Sequence, residues 1–313
     1  MGKDIWFGVH VPPEGRDFRE MRRVCQLVEE SGFDLFSLTD HFMNMRNPNG
    51  PSHHPLECWT TLAGLAAVTH RIKLAPLVSC SGYRRPTVLA KMATTVDIIS
   101  NGRLIFGIGA GWHEAEFTGF MGRFPPVRER LRGLRETVAI CTQMFTQART
   151  TYHGALYQVD HVLNAPPPIQ QPSPLMVGGG GEQVTLKIAV QYADISHFFV
   201  ESVDALTHKL AVLEAHCQTV GRKRHEIRVG TSMDLLVGAT LAEAERKLAH
   251  RAAALGTTRA AVRARVGAGF GTPDMVEAAI QEYLDRGVGL ITFRFTGDDN
   301  VALFGEQILP RFR

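Results

Sequence analysis

The chain has little excess charge of either sign and no long apolar run. Its 313 residues include 34 basic and 31 acidic side chains, which gives a net charge of +3 at pH 7. This balance argues against a nucleic acid or a membrane surface as the main partner. The apolar runs at 62–68 and 104–112 are too short to span a bilayer. Because no signal-peptide pattern precedes the first predicted strand, we expect a cytoplasmic protein.

Cysteine pairs and metal-binding spacings are also missing. The five cysteines are odd in number, widely spread and without a Cys-x-x-Cys pair, which argues against a disulfide framework and favours a reducing compartment. His113 and Glu114 resemble the start of a zinc-hydrolase motif, but Phe117 stands where that motif needs its second histidine. The adjacent His53 and His54 point in different directions on any regular element. We therefore predict no metal site.

Strand-like and helix-like segments alternate along most of the chain. Such alternation favours parallel strands joined by crossover helices. Eight units in one domain, 1–313, suit an α/β fold of the (β/α)8 TIM-barrel type with insertions at its C-terminal mouth. A doubly wound open sheet is the alternative, but the first turn, 10–15, lacks its dinucleotide fingerprint. The predicted strands are 5–9, 35–38, 72–78, 103–108, 175–177, 195–199, 227–237 and 290–295, the predicted helices are 16–31, 56–69, 86–100, 127–146, 182–192, 203–220, 241–254 and 273–286, and a small hairpin is predicted around Gly154.

A run of four glycines, Gly178 to Gly181, follows the short strand 175–177 and precedes a predicted helix. Glycine is a poor residue for the interior of a helix or strand. It does let backbone N–H groups approach a phosphate at a helix N-terminus, where the helix dipole also favours an anion. The run therefore predicts a site for a phosphorylated ligand, with a flexible turn as the alternative.

Asp40 and His41 directly follow the second predicted strand, where TIM-barrel enzymes carry catalytic residues. A histidine at this place can donate or accept a proton near neutral pH, and we expect the adjacent carboxylate to orient its ring. A loop histidine in contact with water is the alternative. The other residues expected at this end of the barrel are His10, Val78, Ser79, the segments 109–113 and 178–181, and the segment after Phe198.

The segment 107–113, GIGAGWH, has the spacing G-x-G-x-G without the final glycine of the nucleotide-binding fingerprint. Its glycines, Gly109 and Gly111 among them, would let a flat ring system approach the barrel mouth, with Trp112 and His113 lining the ring. A tight turn onto the next helix is the alternative interpretation.

Several of these stretches together resemble a known family. The segments 32–41, 57–78, 83–117 and 271–288 and the glycine run are similar to the luciferase-like flavin and deazaflavin oxidoreductases, the luciferase-like monooxygenase superfamily, and most similar to its branch assigned to coenzyme F420. The resemblance covers nearly the whole chain. It implies a TIM barrel that holds a flavin-like ring at its C-terminal mouth.

The resemblance also implies roles for individual residues. It makes His41 the active-site histidine, with Asp40 as its neighbour, and places a backbone bulge behind the ring, often with a non-prolyl cis peptide, within Leu77, Val78 and Ser79. Some deazaflavin dehydrogenases carry a glutamate acid after the fourth-strand glycines, where this chain has Trp112, with Glu114 and Glu116 further on. The cofactor-binding residues predicted in this way are Asp40, Leu77, Val78, Ser79, Gly109, Gly111, Trp112, His113, Gly178, Gly179, Gly180 and Gly181.

The predicted function is hydride transfer between coenzyme F420 and a small organic substrate that the sequence does not identify. The alternatives are an FMN-dependent monooxygenase that uses reduced flavin and oxygen, and a non-catalytic flavin-binding protein. The resemblance further implies a homodimer, and a flavin or F420 reductase is expected to supply reduced cofactor. The substrate pocket is expected to be shaped by the loops 42–55 and 117–126, the hairpin 152–159 and the segment 255–271.

Overall fold

The structure, a computed structural model, describes residues 5–45, 50, 53–295 and 297–313. Its strands and helices alternate as the sequence predicts. The strands are β1 (Trp6–Val11), β2 (Leu35–Leu38), β3 (Lys73–Pro76), β4 (Ser79–Cys80), β5 (Phe106–Gly109), β6 (Thr150–His153), β7 (Gln158–Val162), β8 (Leu175–Gly178), β9 (Ile195–His197), β10 (Arg228–Val237), β11 (Phe270–Gly271) and β12 (Val288–Phe295). The helices are α1 (Phe18–Glu30), α2 (Cys58–Ala66), α3 (Pro86–Ile99), α4 (Glu114–Met121), α5 (Val127–Thr146), α6 (Thr185–Tyr192), α7 (Val203–Val220), α8 (Leu241–Ala254), α9 (Arg259–Val266), α10 (Pro273–Asp285) and α11 (Asp298–Gln307).

The main sheet closes into a parallel barrel. Its strands follow the order β3, β2, β1, β12, β10, β9, β8, β5, β4, and every pairing in this series is parallel. β3 and β4 share one position of the barrel, and Leu74 of β3 forms a parallel bridge to Leu104, just before β5. Eight barrel positions result, which confirms the predicted TIM barrel. The predicted hairpin is the antiparallel pair β6 and β7, outside the barrel.

Local sequence explains where several helices begin and end. Asp17 caps α1, because its side chain accepts a hydrogen bond from the backbone N–H of Glu20 at 2.9 Å. Gly32 follows the same helix at φ +86°, a conformation that glycine adopts without steric cost. Pro86 stands in the first turn of α3, where its missing N–H is not needed. These bounds agree with the predicted helices within two residues.

Several predicted elements are shorter in the structure, among them the strands predicted at 103–108 and 195–199, which are reduced to β5 and β9. The predicted strand 72–78 is interrupted after Pro76, where a cis peptide joins Leu77 and Val78, and resumes as β4. The predicted helix 182–192 begins only at Thr185, because residues 182–184 continue the glycine run as a turn. The predicted helix 56–69 is reduced to α2, which Glu57 caps with its side chain. The elements α4, α9, α11 and β11 were not predicted.

Side chains that point outward from the barrel pack against the helices, and side chains that point inward form an apolar layer below the site. Outward residues Phe7 and Phe293 pack against Phe304 of α11, with ring centroids 6.0 and 4.7 Å away. The lower interior is apolar, and burial of each large aliphatic side chain there contributes about 1.5–3 kcal/mol. Above this layer the inward positions become polar or glycine, so a cavity opens at the C-terminal ends of the strands. The apolar layer consists of Leu35, Ala75, Leu77, Ile105, Met176, Ile195 and Leu290.

The described residues contain neither a helix that could span a membrane nor a cluster of metal-binding side chains. None of the helices described there combines the length and the apolarity needed to cross a membrane. In the same ranges, no three histidine, cysteine, aspartate or glutamate side chains come together as a set that could hold a metal ion. All five cysteines are free and buried.

Candidate active site

A cavity of about 840 Å³ lies at the C-terminal ends of the barrel strands. One side, the glycine wall, consists of Val78, Gly109, Gly178 and Gly179 on β5, β8 and the β3–β4 junction. A second part of the lining, the polar wall, consists of His10, His197 and Arg294 on β1, β9 and β12, and His197 lies directly beside Gly178 in the sheet. His41 and Trp112 lie at the rim. This is the end of a TIM barrel at which ligands bind, and the volume suits a small-molecule site.

Val78 determines the shape of the glycine wall. A Cβ atom built on Gly178 would lie 2.6 Å from Val78 Cγ1, and one built on Gly109 would lie 2.7 Å from Val78 Cγ2. Both positions therefore require glycine while the valine keeps its place. The wall presents flat peptide groups beside one branched side chain, a surface to which a planar ring can approach closely. The cis peptide between Leu77 and Val78 agrees with the bulge that the resemblance implies.

His41 is paired with a buried carboxylate that comes from α4. Its Nδ1 lies 2.8 Å from Glu116 Oε2, and the Glu116 side chain is fully buried. The hydroxyl of Tyr83 donates to the same oxygen at 2.5 Å, and the backbone N–H groups of Phe42 and Met43 donate to Oε1 at 2.6 and 2.9 Å. Four donors thus surround one carboxylate, which fixes the orientation of the His41 ring at the cavity.

The protonation of this pair follows from the electrostatics of Glu116. Burial alone would raise the pKa of Glu116, but hydrogen bonds from His41, Tyr83 and Met43 outweigh it and lower the pKa to about 2. The carboxylate is therefore ionised at neutral pH and accepts only. His41 must donate its Nδ1–H, which leaves Nε2 as the ring atom that exchanges a proton with the cavity.

Asp40 does not orient the His41 ring, contrary to the prediction. Its buried carboxylate is turned away and receives a bidentate pair of hydrogen bonds from Arg84, at 2.7 and 3.0 Å. The hydroxyl of Ser79 donates to Asp40 at 2.9 Å and accepts from Trp59 Nε1 at 3.0 Å. Arg84 also pairs with Glu57 at 2.5 Å. These partners, together with the backbone N–H of Cys80 at 3.1 Å, hold the Asp40 carboxylate away from the His41 ring.

Trp112 and His113 occupy different environments. Trp112 is 62% exposed at the rim, and its ring meets the edge of the His41 ring with centroids 5.6 Å apart. His113 is buried and begins α4, because its Nδ1 accepts the backbone N–H of Glu116 at 3.4 Å. Its Nδ1 therefore faces the helix, and His113 is not among the residues that line the cavity, unlike the prediction. Gly111 makes the turn just before Trp112 at φ +72°, against the side chain of Cys80.

The glycine run divides into two parts. Gly178 and Gly179 line the cavity, together with Thr185 of α6. The N–H of Gly179 donates to the carbonyl of His197 at 2.9 Å, so this amide is used within the fold. Gly180 and Gly181 lead away from the cavity lining into the turn before α6. The predicted four-amide phosphate cradle is thus smaller than the sequence suggests.

The polar wall contains two neutral imidazoles. Burial, together with Arg294 and His197, lowers the pKa of His10 to about 3, and burial lowers the pKa of His197 to about 4. His10 Nδ1 lies 3.1 Å from the hydroxyl of Ser37. Arg294 forms a bidentate pair with Asp234 at 2.8 and 3.0 Å. Neither histidine adds charge to the cavity at neutral pH.

Sequence reasoning missed most of these partners. His10 was expected at the mouth, but Tyr83, Glu116, His197 and Arg294 had no local motif. Side chains along strand β12 alternate between inward and outward, so Arg294, two residues after Thr292, points inward. The same alternation could have identified Arg294 from the sequence. Glu116 lies 75 residues from its partner His41, and only the folded chain brings the two together.

Comparison with known proteins agrees with this architecture. The family model described as luciferase-like monooxygenase matches residues 5–290. The F420-dependent glucose-6-phosphate dehydrogenase of Amycolatopsis mediterranei is 26% identical to this chain, over 94% of this chain and 95% of its own length.

Solved structures share the fold. The coenzyme F420-dependent tetrahydromethanopterin reductase of Methanopyrus kandleri superposes with a TM-score of 0.79 and 21% identity, over 99% of this chain and 100% of its own. The oxygenating constituent of the diketocamphane monooxygenase of Pseudomonas putida, solved with FMN, gives 0.78 and 17%, over 98% and 99%. At these identities the likeness concerns the fold. Since the family model covers most of its length, the chain belongs to the luciferase-like monooxygenase family.

Proposed function

We propose that the protein is an F420-dependent oxidoreductase that transfers a hydride between the deazaflavin and a small organic substrate. The observation that carries the proposal is the His41–Glu116 pair at the rim of the cavity that the glycine wall also lines. Relatives of nearly equal length that are named as F420-dependent dehydrogenases support the choice of cofactor.

The residues present fit a flavin-like group. The cradle formed by Gly109 and Gly178 against Val78 is space that a Cβ atom would fill, so a flat ring can lie there in contact with backbone. The hydroxyl oxygen of Thr39, which also lines the cavity, is buried without a hydrogen-bond partner among the described residues. Such an atom is expected to meet a polar group of a ligand.

In the mechanism, bound F420 supplies the hydride chemistry. His41 exchanges a proton through Nε2 as the substrate is oxidised or reduced, because its Nδ1–H is held by Glu116. The carboxylate stabilises the imidazolium that forms when His41 takes the proton. Tyr83 and the two backbone N–H groups keep Glu116 ionised and in place. Val78, beside Gly109 and Gly178, would contact a ring held at the glycine wall.

The proposal does not include a sugar phosphate as the substrate. Trp112 stands where some deazaflavin dehydrogenases carry a glutamate acid. Glu114 is exposed on α4, and Glu116 is engaged with four donors and has no proton to give at neutral pH. His41 is therefore the proton-transfer group that this site offers. We expect a substrate whose oxidation or reduction needs a single proton-transfer group.

Titration with F420 and, separately, with FMN tests the proposal. We expect fluorescence quenching or an absorbance shift with F420 at micromolar concentrations and much weaker binding of FMN. A panel of alcohols, aldehydes and activated alkenes is then screened by the change in F420 absorbance. Tight FMN binding with oxygen-dependent turnover would instead establish the monooxygenase, which requires a reductase as partner. Tight binding of either cofactor without turnover of any compound would favour a binding protein.

A further inference from the structure

Two arginines of the cavity lining share a single carboxylate. Arg294 of β12 forms its bidentate pair with Asp234, the residue beside it on β10, and Arg265 of α9 reaches the same carboxylate with its Nε 3.5 Å from Oδ2. Both arginines line the cavity. A guanidinium group does not lose its proton in a protein, and one carboxylate neutralises only one of the two. The three side chains therefore leave one positive charge in excess at the polar wall.

The guanidinium of Arg294 keeps donors for a ligand. Its Nε and Nη2 donate to Asp234, whereas Nη1 has no hydrogen-bond partner in the part of the chain that the structure describes. The side chain is 35% exposed at the cavity. The ring of Phe199, which also lines the cavity, has its centroid 5.5 Å from the guanidinium carbon. An arginine that one carboxylate holds in place can bind a second carboxylate with its other edge, because the planar fork matches that geometry.

The electrostatic effect of Arg294 reaches the neighbouring side chains of the polar wall. Val9 pairs with Phe293 in the sheet, so the next residues on the two strands, His10 and Arg294, are neighbours. Burial is the largest cause of the lowered pKa values of His10 and His197, and the charge of Arg294 adds to it for both. The two imidazoles are neutral, so they offer hydrogen bonds to a ligand and leave its charge to the arginines.

The carboxylates of the cavity lining are engaged elsewhere. Asp40 receives its bidentate pair from Arg84, and Glu14, in the turn after β1, accepts the backbone N–H of Met45 at 3.3 Å. Neither forms an ion pair with Arg294, whose carboxylate partner is Asp234. An anion that enters the cavity is therefore attracted to the Arg294 side.

The strand order sets the distance between Arg294 and the proton-transfer group. His41 follows β2, and β1 separates β2 from β12, which carries Arg294. Neighbouring strands lie about 4.8 Å apart, so two steps around the barrel cover about 10 Å. A molecule that spans this distance has only a few carbon atoms between its anionic group and its reacting carbon, and it passes over His10 on β1.

We propose that Arg294 determines substrate specificity, and that the substrate is a small carboxylic acid whose carboxylate binds the free edge of the guanidinium while its reacting carbon lies near His41. This inference rests on the proposed function and names the class of its substrate. One positive charge in excess matches the single charge of a carboxylate. A phosphate monoester carries about 1.5 to 2 negative charges at pH 7 and would leave part of its charge uncompensated.

The test compares small acids with their uncharged amides in the F420-loaded protein. Lactate and lactamide form one pair of probes, and crotonate and crotonamide form the other. Each is titrated by calorimetry and offered as a substrate in the F420 absorbance assay. In wild type we expect each acid to bind about 10- to 100-fold more tightly than its amide. In R294M the acid should weaken by that factor, whereas the amide and F420 should stay within about threefold of wild type.

Two further variants separate the guanidinium from its charge and from the fold. R294M/D234N removes both members of the pair and, with Arg265 retained, keeps one positive charge in excess. We expect it to melt close to wild type and to lose the preference for acids as R294M does. R263M is the matched control, because Arg263 lies on the same helix as Arg265, donates to the carbonyl of Gly267 and is not among the lining residues. Its preference for acids should equal that of wild type.

The outcomes decide the inference separately from the proposed function. A preference for acids that survives in R294M and in the double variant, or equal losses for acid and amide, would overturn the role of Arg294. A loss of F420 affinity in R294M as large as the loss for the acid would overturn it as well, since the guanidinium would then hold the cofactor. Wild-type protein that binds F420 without preferring acids would retain the proposed function and overturn the inference. Protein that binds FMN instead of F420 and prefers acids would refute the proposed function and leave Arg294 in its role.

Discussion

Replacement of Glu116 by glutamine tests the hydrogen-bonded pair at the centre of the site. Glu116 accepts from His41, Tyr83 and the N–H groups of Phe42 and Met43. All four partners are donors, and a carboxylate has acceptor sites for all of them. A glutamine amide brings two N–H donors of its own, so one end of the new side chain must place donor against donor. Either orientation loses hydrogen bonds in a buried position.

The pKa of Glu116 gives the magnitude. It is about 2 in the folded chain against an ordinary 4.5, and at 1.36 kcal/mol per pH unit this difference corresponds to about 3 kcal/mol of stability. Because the folded pKa is the lower one, the contribution is fully present above pH 4.5 and is lost as the pH falls toward 2. We expect E116Q to lose about 3 kcal/mol of unfolding free energy at pH 7. At pH 3.5 the gap from wild type should narrow by about 1.4 kcal/mol.

Urea unfolding at the two pH values measures this loss, and NMR of the ring nitrogens reports the tautomer of neutral His41. We expect the proton on Nδ1 in wild type and on Nε2 in E116Q, because the glutamine amide then donates to Nδ1. E114Q is the control, since Glu114 lies in the same helical turn but is exposed, and its effect should stay within about 0.5 kcal/mol. Wild-type stability together with an unchanged tautomer in E116Q would refute the reasoning.

Two further predictions concern the cavity. H41A should keep cofactor affinity in a fluorescence titration and lose at least about 100-fold in turnover; undiminished turnover would remove His41 from the mechanism. G178A should lose about 1–3 kcal/mol of unfolding free energy in chemical unfolding and bind cofactor poorly, because its Cβ would lie 2.6 Å from Val78 Cγ1. Adding V78A to the same chain should restore part of the stability. A G178A variant as stable as wild type would contradict the prediction.

The barrel was predictable because its evidence is local. Each strand is an apolar run bounded by turn residues, and helices such as α1 begin at a capping aspartate and end at a glycine. The prediction failed where the backbone departs from the regular geometry of a strand. The run 72–78 has one continuous apolar pattern, although the chain breaks it into β3 and β4 at Leu77 and Val78. Apolar periodicity does not distinguish one continuous strand from two short strands with a break between them.

The candidate site was predictable in position and less so in chemistry. The rule that barrel ligands lie at the C-terminal strand ends places His41, Val78, Gly109 and Gly178 at one cavity. It says nothing about which carboxylate meets His41. Adjacency in sequence suggested Asp40, whereas the Asp40 carboxylate pairs with Arg84 and the partner of His41 comes from α4. Partners of buried polar groups are decided by the tertiary fold.

The charges around the cavity then explain why one pair controls its proton chemistry. His10 and His197 remain neutral, because their pKa values lie near 3 and 4. Arg294 is compensated by its bidentate pair with Asp234. The charge that changes during the proposed proton transfer is therefore that of His41, which lies beside the ionised Glu116. The pair carries one negative charge when the ring is neutral and no net charge when the ring is protonated. Because Glu116 accepts from Nδ1–H in both states of the ring, His41 keeps one orientation, and Nε2 is the atom left to exchange the proton in the proposed mechanism.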